Sequence, residues 1–110
     1  MYLLNAISLN MIKPDRGRIE FEKIESYRAR FAVIAGLDEI INCIGHADTD
    51  RVVRNHLGEE LDIPIGERRT VQLDYGDCAL VAQYRGERLP EGCTELPEGS
   101  SIEYYWVKIN

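Results

Sequence analysis

No CxxC pair occurs among the three cysteines, Cys43, Cys78 and Cys93. Their odd number and long spacings exclude a disulfide framework and a structural zinc site, and fit a reducing cytoplasm. No apolar run approaches the roughly 20 residues needed to cross a bilayer, so no membrane partner is expected. The start, Met1-Tyr2-Leu3-Leu4-Asn5, carries neither a basic stretch nor a cleavage site, which argues against secretion. Positive charge is scarce: thirteen Lys+Arg face nineteen Asp+Glu, a net charge of -6. Bulk attraction to duplex DNA needs the opposite sign, so no duplex partner is expected. Small anions stay open, because a local arginine cluster outweighs a distant net charge. None of the GxGxxG, GxxxxGK[ST] or GxSxG patterns is present, which removes the usual dinucleotide, P-loop and serine-hydrolase signatures. There is no repeat, low-complexity tract or linker.

What is present suits one domain over residues 1–110. Hydrophobic residues make up 45% and charged residues 29% of the chain, a globular balance. A chain of 110 residues buries enough surface to fold unaided. Leu3-Leu4 reads as a short buried strand. Arg18 to Ile24 alternates with period two, with Ile19 and Phe21 as its apolar face. The period then lengthens: Tyr27, Phe31 and Ile34 lie at helical spacing between Ser26 and Gly36, and form the expected buried stripe of a first helix. Glu39 to Ile44 reads as a central strand ending at Gly45-His46. Asp48 or Thr49 then caps a second helix, with Val52, Val53, His56 and Leu57 on one side and Gly58 at its end.

The second half reads as strand. Arg69–Leu73 and Ala79–Tyr84 flank Asp74-Tyr75-Gly76-Asp77, the signature of a hairpin. Ile102 to Ile109 carries large residues on both faces, so both faces are expected to be covered, by the fold or by a partner chain. Strand–helix alternation followed by strands predicts a mixed sheet with two or three helices, an α+β class.

Three segments carry chemistry. In Ile44-Gly45-His46-Ala47-Asp48-Thr49 a strand ends, a glycine turns, and a histidine precedes a helix start whose free N–H groups favour phosphate. His46 there can protonate a leaving oxygen near neutral pH. Spacing alone also allows a residue that only bonds the helix backbone, and that use is the commoner one. Arg68-Arg69 and Arg85/Arg88 flank the expected hairpin, whose outer ends would bring Arg68 and Arg88 to one rim. Charge-assisted contacts from there to phosphate are worth about 1.5–3 kcal/mol each. By composition, pairing with Glu67, Glu87 or Glu91 is the ordinary alternative. Asn5, Ser8 and Asn10 cluster after the first strand, able to read a base edge or a ribose, or simply to make turns. Cys43 without an adjacent base reads as packing, and His56 as structural.

Taken in order, Leu3-Leu4-Asn5-Ala6-Ile7-Ser8-Leu9-Asn10-Met11, Asn42-Cys43-Ile44-Gly45-His46 and Arg88-Leu89-Pro90-Glu91-Gly92 resemble the small viral and phage proteins typified by the archaeal virus B116 protein. That group includes the type III anti-CRISPR ring nucleases. The resemblance covers nearly the whole chain. It implies a mixed five-stranded sheet with flanking helices and a homodimer that joins two sheets. It also implies cleavage of cyclic tetra-adenylate at the dimer seam, with no metal or other cofactor. The resemblance places the catalytic histidine at His46, with Arg88 and Glu91 as its loop partners. Asn5, Ser8, Asn10 and Arg68 fall on ligand-contacting positions, and Asp48 stands where many relatives carry a small hydroxyl residue. Arg85-Gly86 looks like a one-residue insertion, and the segment after Gly92 is shorter. A non-catalytic sponge or sensor for the same nucleotide is the alternative, and a DNA-binding accessory role is a third reading that the net charge disfavours.

Overall fold

A computed structural model describes all residues 1–110. Five strands form one mixed sheet: β1 (Tyr2–Leu4), β2 (Ile19–Ile24), β3 (Ile41–Asn42), β4 (Cys78–Arg85) and β5 (Ser101–Ile109). Their order is β2-β5-β4-β1-β3. β1 lies between β3 and β4 and is parallel to both. β5 is antiparallel to β4 and β2, so four strands run one way and only β5 runs against them. Two α-helices, α1 (Ser26–Ala35) and α2 (Ala47–Gly58), pack on one face. The mixed sheet and α+β class expected from the sequence are therefore present, with two helices. No helix is long and apolar enough to cross a membrane.

The strand period sorts the core into two layers. Leu3, Leu80, Ala82, Ile102 and Tyr104 point toward the helices and meet Ala29, Val33, Val52, Val53 and Leu57. Leu4, Ala79, Val81, Val107 and Ile109 point the other way and are covered by Val71 and Leu73. Burying a Leu or Val side chain contributes about 1.5–3 kcal/mol, so both layers matter to stability.

Three expectations fail here for identifiable reasons. Arg69–Leu73 does not form a hairpin with Ala79–Tyr84. Both edges of β4 are already taken, by β1 and β5. The 62–77 segment instead starts on the helix side, where Ile63 packs, and ends on the outer face, where Leu73 makes one isolated bridge to Ile12. The turn at Asp74–Asp77 does form, closed by Asp77 N–H on the Asp74 carbonyl at 3.0 Å. Second, α1 buries Ala29 and Val33, both 0% exposed, and leaves Tyr27 and Phe31 outside at 54% and 65%. Small residues let the helix approach the sheet closely, and the larger stripe faces away. Third, the apolar face of β2 is open: Phe21 is 71% exposed and Ile19 also lies at the surface. No element covers that end of the outer face.

Smaller differences concern helix and strand ends. The side chain capping α2 is that of His46, not Asp48 or Thr49. The strand expected to be central is instead the edge strand β3, paired with β1 alone, and it starts only at Ile41 because Leu37–Glu39 forms a 3-10 turn. Gly58 does end α2, with φ at +140°, a value that β-carbon-bearing residues rarely adopt.

Candidate functional site

The parallel strands fix where a ligand can approach. After β1 the chain runs to β2 at one edge of the sheet, then through α1 to β3 at the opposite edge, and through α2 to β4 beside β1. Because β1, β3 and β4 are parallel, the loops leaving their carboxyl ends lie at one end of the sheet. In open sheets the ligand crevice lies outside the carboxyl ends of the strands. Asn5 leaves β1 there, Cys43–His46 leaves β3, and Gly86–Ser100 leaves β4.

His46 sits at the start of α2, with an exposed ring. Its Nδ1 lies 3.5 Å from both the Thr49 N–H and the Thr49 hydroxyl. Accepting from the Thr49 N–H puts the proton on the other ring nitrogen, Nε2, which makes no hydrogen bond within the chain. His46 thus caps the helix, as its commoner use anticipates, while keeping Nε2 available. Behind it lies a buried polar network. Asn42, 2% exposed, donates to Asp50 Oδ1 at 2.7 Å and to the Pro64 carbonyl at 2.8 Å, and accepts from Ile44 N–H at 3.1 Å. Asp50, also 2% exposed, accepts one further hydrogen bond from Arg54 Nε at 3.0 Å, with Arg54 Nη2 also 3.0 Å away as its ion pair. The network ties β3, α2 and the outer crossover together directly beneath Gly45-His46.

Arg68 reaches the site by a different route from the hairpin rim. Glu67 N–H donates to the Asn42 carbonyl at 3.1 Å, which brings the crossover alongside β3. A Cβ on Gly45 would lie 2.9 Å from Arg68 Cβ and 3.2 Å from its Nε, so only glycine admits the arginine beside His46. The neighbouring Arg69 pairs with Glu67 at 3.0 Å and Arg85 with Glu103 at 3.0 Å, whereas Arg68 and Arg88 have no ion-pair partner. The pairing expected of ordinary surface arginines thus falls on the two adjacent ones.

Arg88 and Glu91 are exposed on the loop after β4. Arg88 lines a cleft with Tyr84, Glu87 and Pro97–Ser100, and no contact links its guanidinium to His46. Asp48 Oδ1 accepts from Gly92 N–H at 3.1 Å and from Arg51. That bond and the Arg51 guanidinium, with the His46 ring adding a smaller pull, hold the Asp48 carboxyl below its ordinary range. Ser8 donates to Asn10 Oδ1 across an exposed 3-10 turn, Leu9–Met11. Asn5 stands apart from them, lining a groove of about 310 Å³ with Phe21, Val81, Gln83 and Tyr105. Gln83 was not anticipated. Its alternation with Val81 on β4 would have placed it on the outer face. Burial pushes the Cys43 thiol up against the pull of Arg69, which suits packing. No three His, Cys, Asp or Glu side chains gather as a metal-ligand set.

The sequence from residue 1 to 106 matches the family model described as STIV B116-like. The chain belongs to the STIV B116-like family. Among solved structures, B116 of Sulfolobus turreted icosahedral virus (STIV) superposes with a TM-score of 0.80 at 28% identity, covering 97% of each chain. The B116-like fold thus extends over both core layers and every loop of the site. No curated protein matches the sequence.

Proposed function

We propose that this B116-like protein is a metal-independent ring nuclease that cleaves cyclic tetra-adenylate and so antagonises or switches off type III CRISPR signalling. One observation carries most of the weight: His46, whose Nε2 has no partner within the chain, and the unpaired Arg68 both flank Gly45 at the carboxyl ends of the parallel strands. RNA brings its own nucleophile. A ribose 2′-hydroxyl attacks the adjacent phosphorus, a 2′,3′-cyclic phosphate forms, and the P–O5′ bond breaks. The protein must hold the reacting groups in line, offset the developing negative charge and protonate O5′. His46 supplies that proton. Arg68 and Arg88 clamp phosphate oxygens, Glu91 orients the clamp, and Asn5, Ser8 and Asn10 contact ribose or base edges. Protonated His46 keeps its helix contact by donating from Nδ1 to the Thr49 hydroxyl.

The open apolar end of the outer face, with Ile19, Phe21 and Tyr105, is the seam of a homodimer. A ligand with two-fold symmetry then meets two equivalent sets of groups across it. The groove containing Asn5 and Gln83 borders that seam. A sponge that holds the ring uncut is the second reading, favoured by the Asp48 carboxylate at the helix start, where it opposes a phosphate. Incubation with labelled cyclic tetra-adenylate in excess EDTA separates the readings. A nuclease yields short linear oligoadenylates ending in a 2′,3′-cyclic phosphate or a 3′-phosphate. A sponge retards the ligand and returns it intact.

A further inference from the structure

We infer that Asp48 is a positioning residue that straps the Arg88–Gly92 loop to the start of α2, and so sets Arg88 and Glu91 relative to His46. The inference rests on the ring-nuclease reading. The loop is fixed at two points, one on either side of the residues it presents. Before Arg88, Tyr84 Oη donates to the Glu87 carbonyl at 2.7 Å. After Glu91, Gly92 N–H donates to Asp48 Oδ1 at 3.1 Å. Around the second point, Cys93 N–H closes a turn on the Pro90 carbonyl at 3.1 Å. The bond to Asp48 is the one hydrogen bond joining α2 to this loop, and it spans 44 residues of sequence.

The local geometry favours a fixed strap over a chance contact. Asp48 is only 15% exposed at its side chain, and Arg51, one turn on, holds the carboxylate in place. Gly92 sits at φ +78°, where side-chain-bearing residues are strained, with its N–H turned to the carboxylate. Asp48 is two residues from His46, so this hydrogen bond ties the clamp loop to the chain close to the acid. A small displacement of the clamp from the in-line geometry costs one to two orders of magnitude in rate. An aspartate at this helix position would by charge alone oppose phosphate. The contribution assigned to it is made through the loop it holds.

The test uses the full-length protein, with Asp48→Ala, Asp48→Asn and Arg51→Gln. Single-turnover cleavage of cyclic tetra-adenylate is measured beside amide hydrogen exchange at Gly92. Asparagine keeps the carbonyl acceptor for Gly92 and loses only the charge. Asp48→Ala is expected to slow cleavage about 10- to 100-fold and to release the Gly92 amide to fast exchange. Asp48→Asn is expected to restore protection and cleave within about threefold of wild type, and Arg51→Gln to behave similarly. A wild-type protein that leaves the ring uncut defeats the ring-nuclease reading itself. If the wild type cuts, an Asp48→Ala rate equal to it overturns the strap alone, whatever Gly92 does. Equal slowing in Asp48→Asn and Asp48→Ala also overturns it, since the charge and not the Gly92 bond would then matter.

Discussion

Replacing Asn42 with alanine removes two donated hydrogen bonds and one accepted bond from a site that water does not reach. Asp50 keeps Arg54 but loses its 2.7 Å donor, and the Pro64 carbonyl and the Ile44 N–H are left without partners. Each orphaned buried group costs about 1–3 kcal/mol. Allowing partial relaxation, the sum is about 3–5 kcal/mol, the range found when a buried charge loses a partner. Total stability for a domain of this size is about 5–15 kcal/mol, so the variant is marginal. Urea unfolding should show a midpoint well below wild type at an unchanged slope, and heat should unfold it about 10–20 °C earlier. Asn42→Asp sets a second carboxylate against Asp50 and the fold should suffer more, with partial recovery as acid neutralises the pair. A loss under about 1 kcal/mol for Asn42→Ala would refute the view that this network carries the loop of His46.

Other outcomes follow from single contacts. Arg68→Ala should weaken binding of cyclic tetra-adenylate about tenfold or more, as expected for one charge-assisted phosphate contact. Arg69→Ala, which loses only an exposed pair with Glu67, should bind within about twofold of wild type in the same titration. Phe21→Glu should turn a dimer into a monomer in light scattering after gel filtration, and an unchanged dimer would place the seam elsewhere. Burial lowers the pKa of His56, which makes a 2.7 Å bond to Tyr104 Oη. The unfolded chain therefore takes up this proton first as acid is added. Its contribution is complete above the unfolded pKa of about 6.5 and declines as pH falls toward the lower folded value. Melting curves at pH 7.5 and 5.5 should thus differ more in wild type than in His56→Gln, and parallel shifts would remove His56 from the acid response.

The parts of this protein that were legible beforehand are those where a local pattern and its tertiary use coincide. β2 and α2 show their period plainly, and the strand–Gly45–His46–helix junction marks the candidate site from sequence alone. The face of α1 was misjudged because periodicity reports spacing and not which of two apolar stripes fits against a sheet. Ala29 and Val33 fit closely, while Tyr27 and Phe31 do not. The hairpin was misjudged because turn chemistry says where a chain reverses, not whether the next strand has a free edge. A hairpin would have carried Arg68 to the rim beside Arg88; the folded chain instead packs it against Gly45. The Asn42–Asp50 network and the Asp48–Gly92 bond carry no local signature, since their partners lie 8 to 44 residues apart and meet only in the folded chain.

The central claim is that an imidazole beyond the carboxyl end of β3 protonates the leaving oxygen of a cyclic oligoadenylate. Single-turnover cleavage of cyclic tetra-adenylate by wild type and His46→Ala, with EDTA throughout and binding measured in parallel, tests it most directly. The expected result is a rate about 10²–10⁴-fold lower in the variant with binding little changed. Equal rates, or a wild-type protein that leaves the ring uncut, would contradict the account.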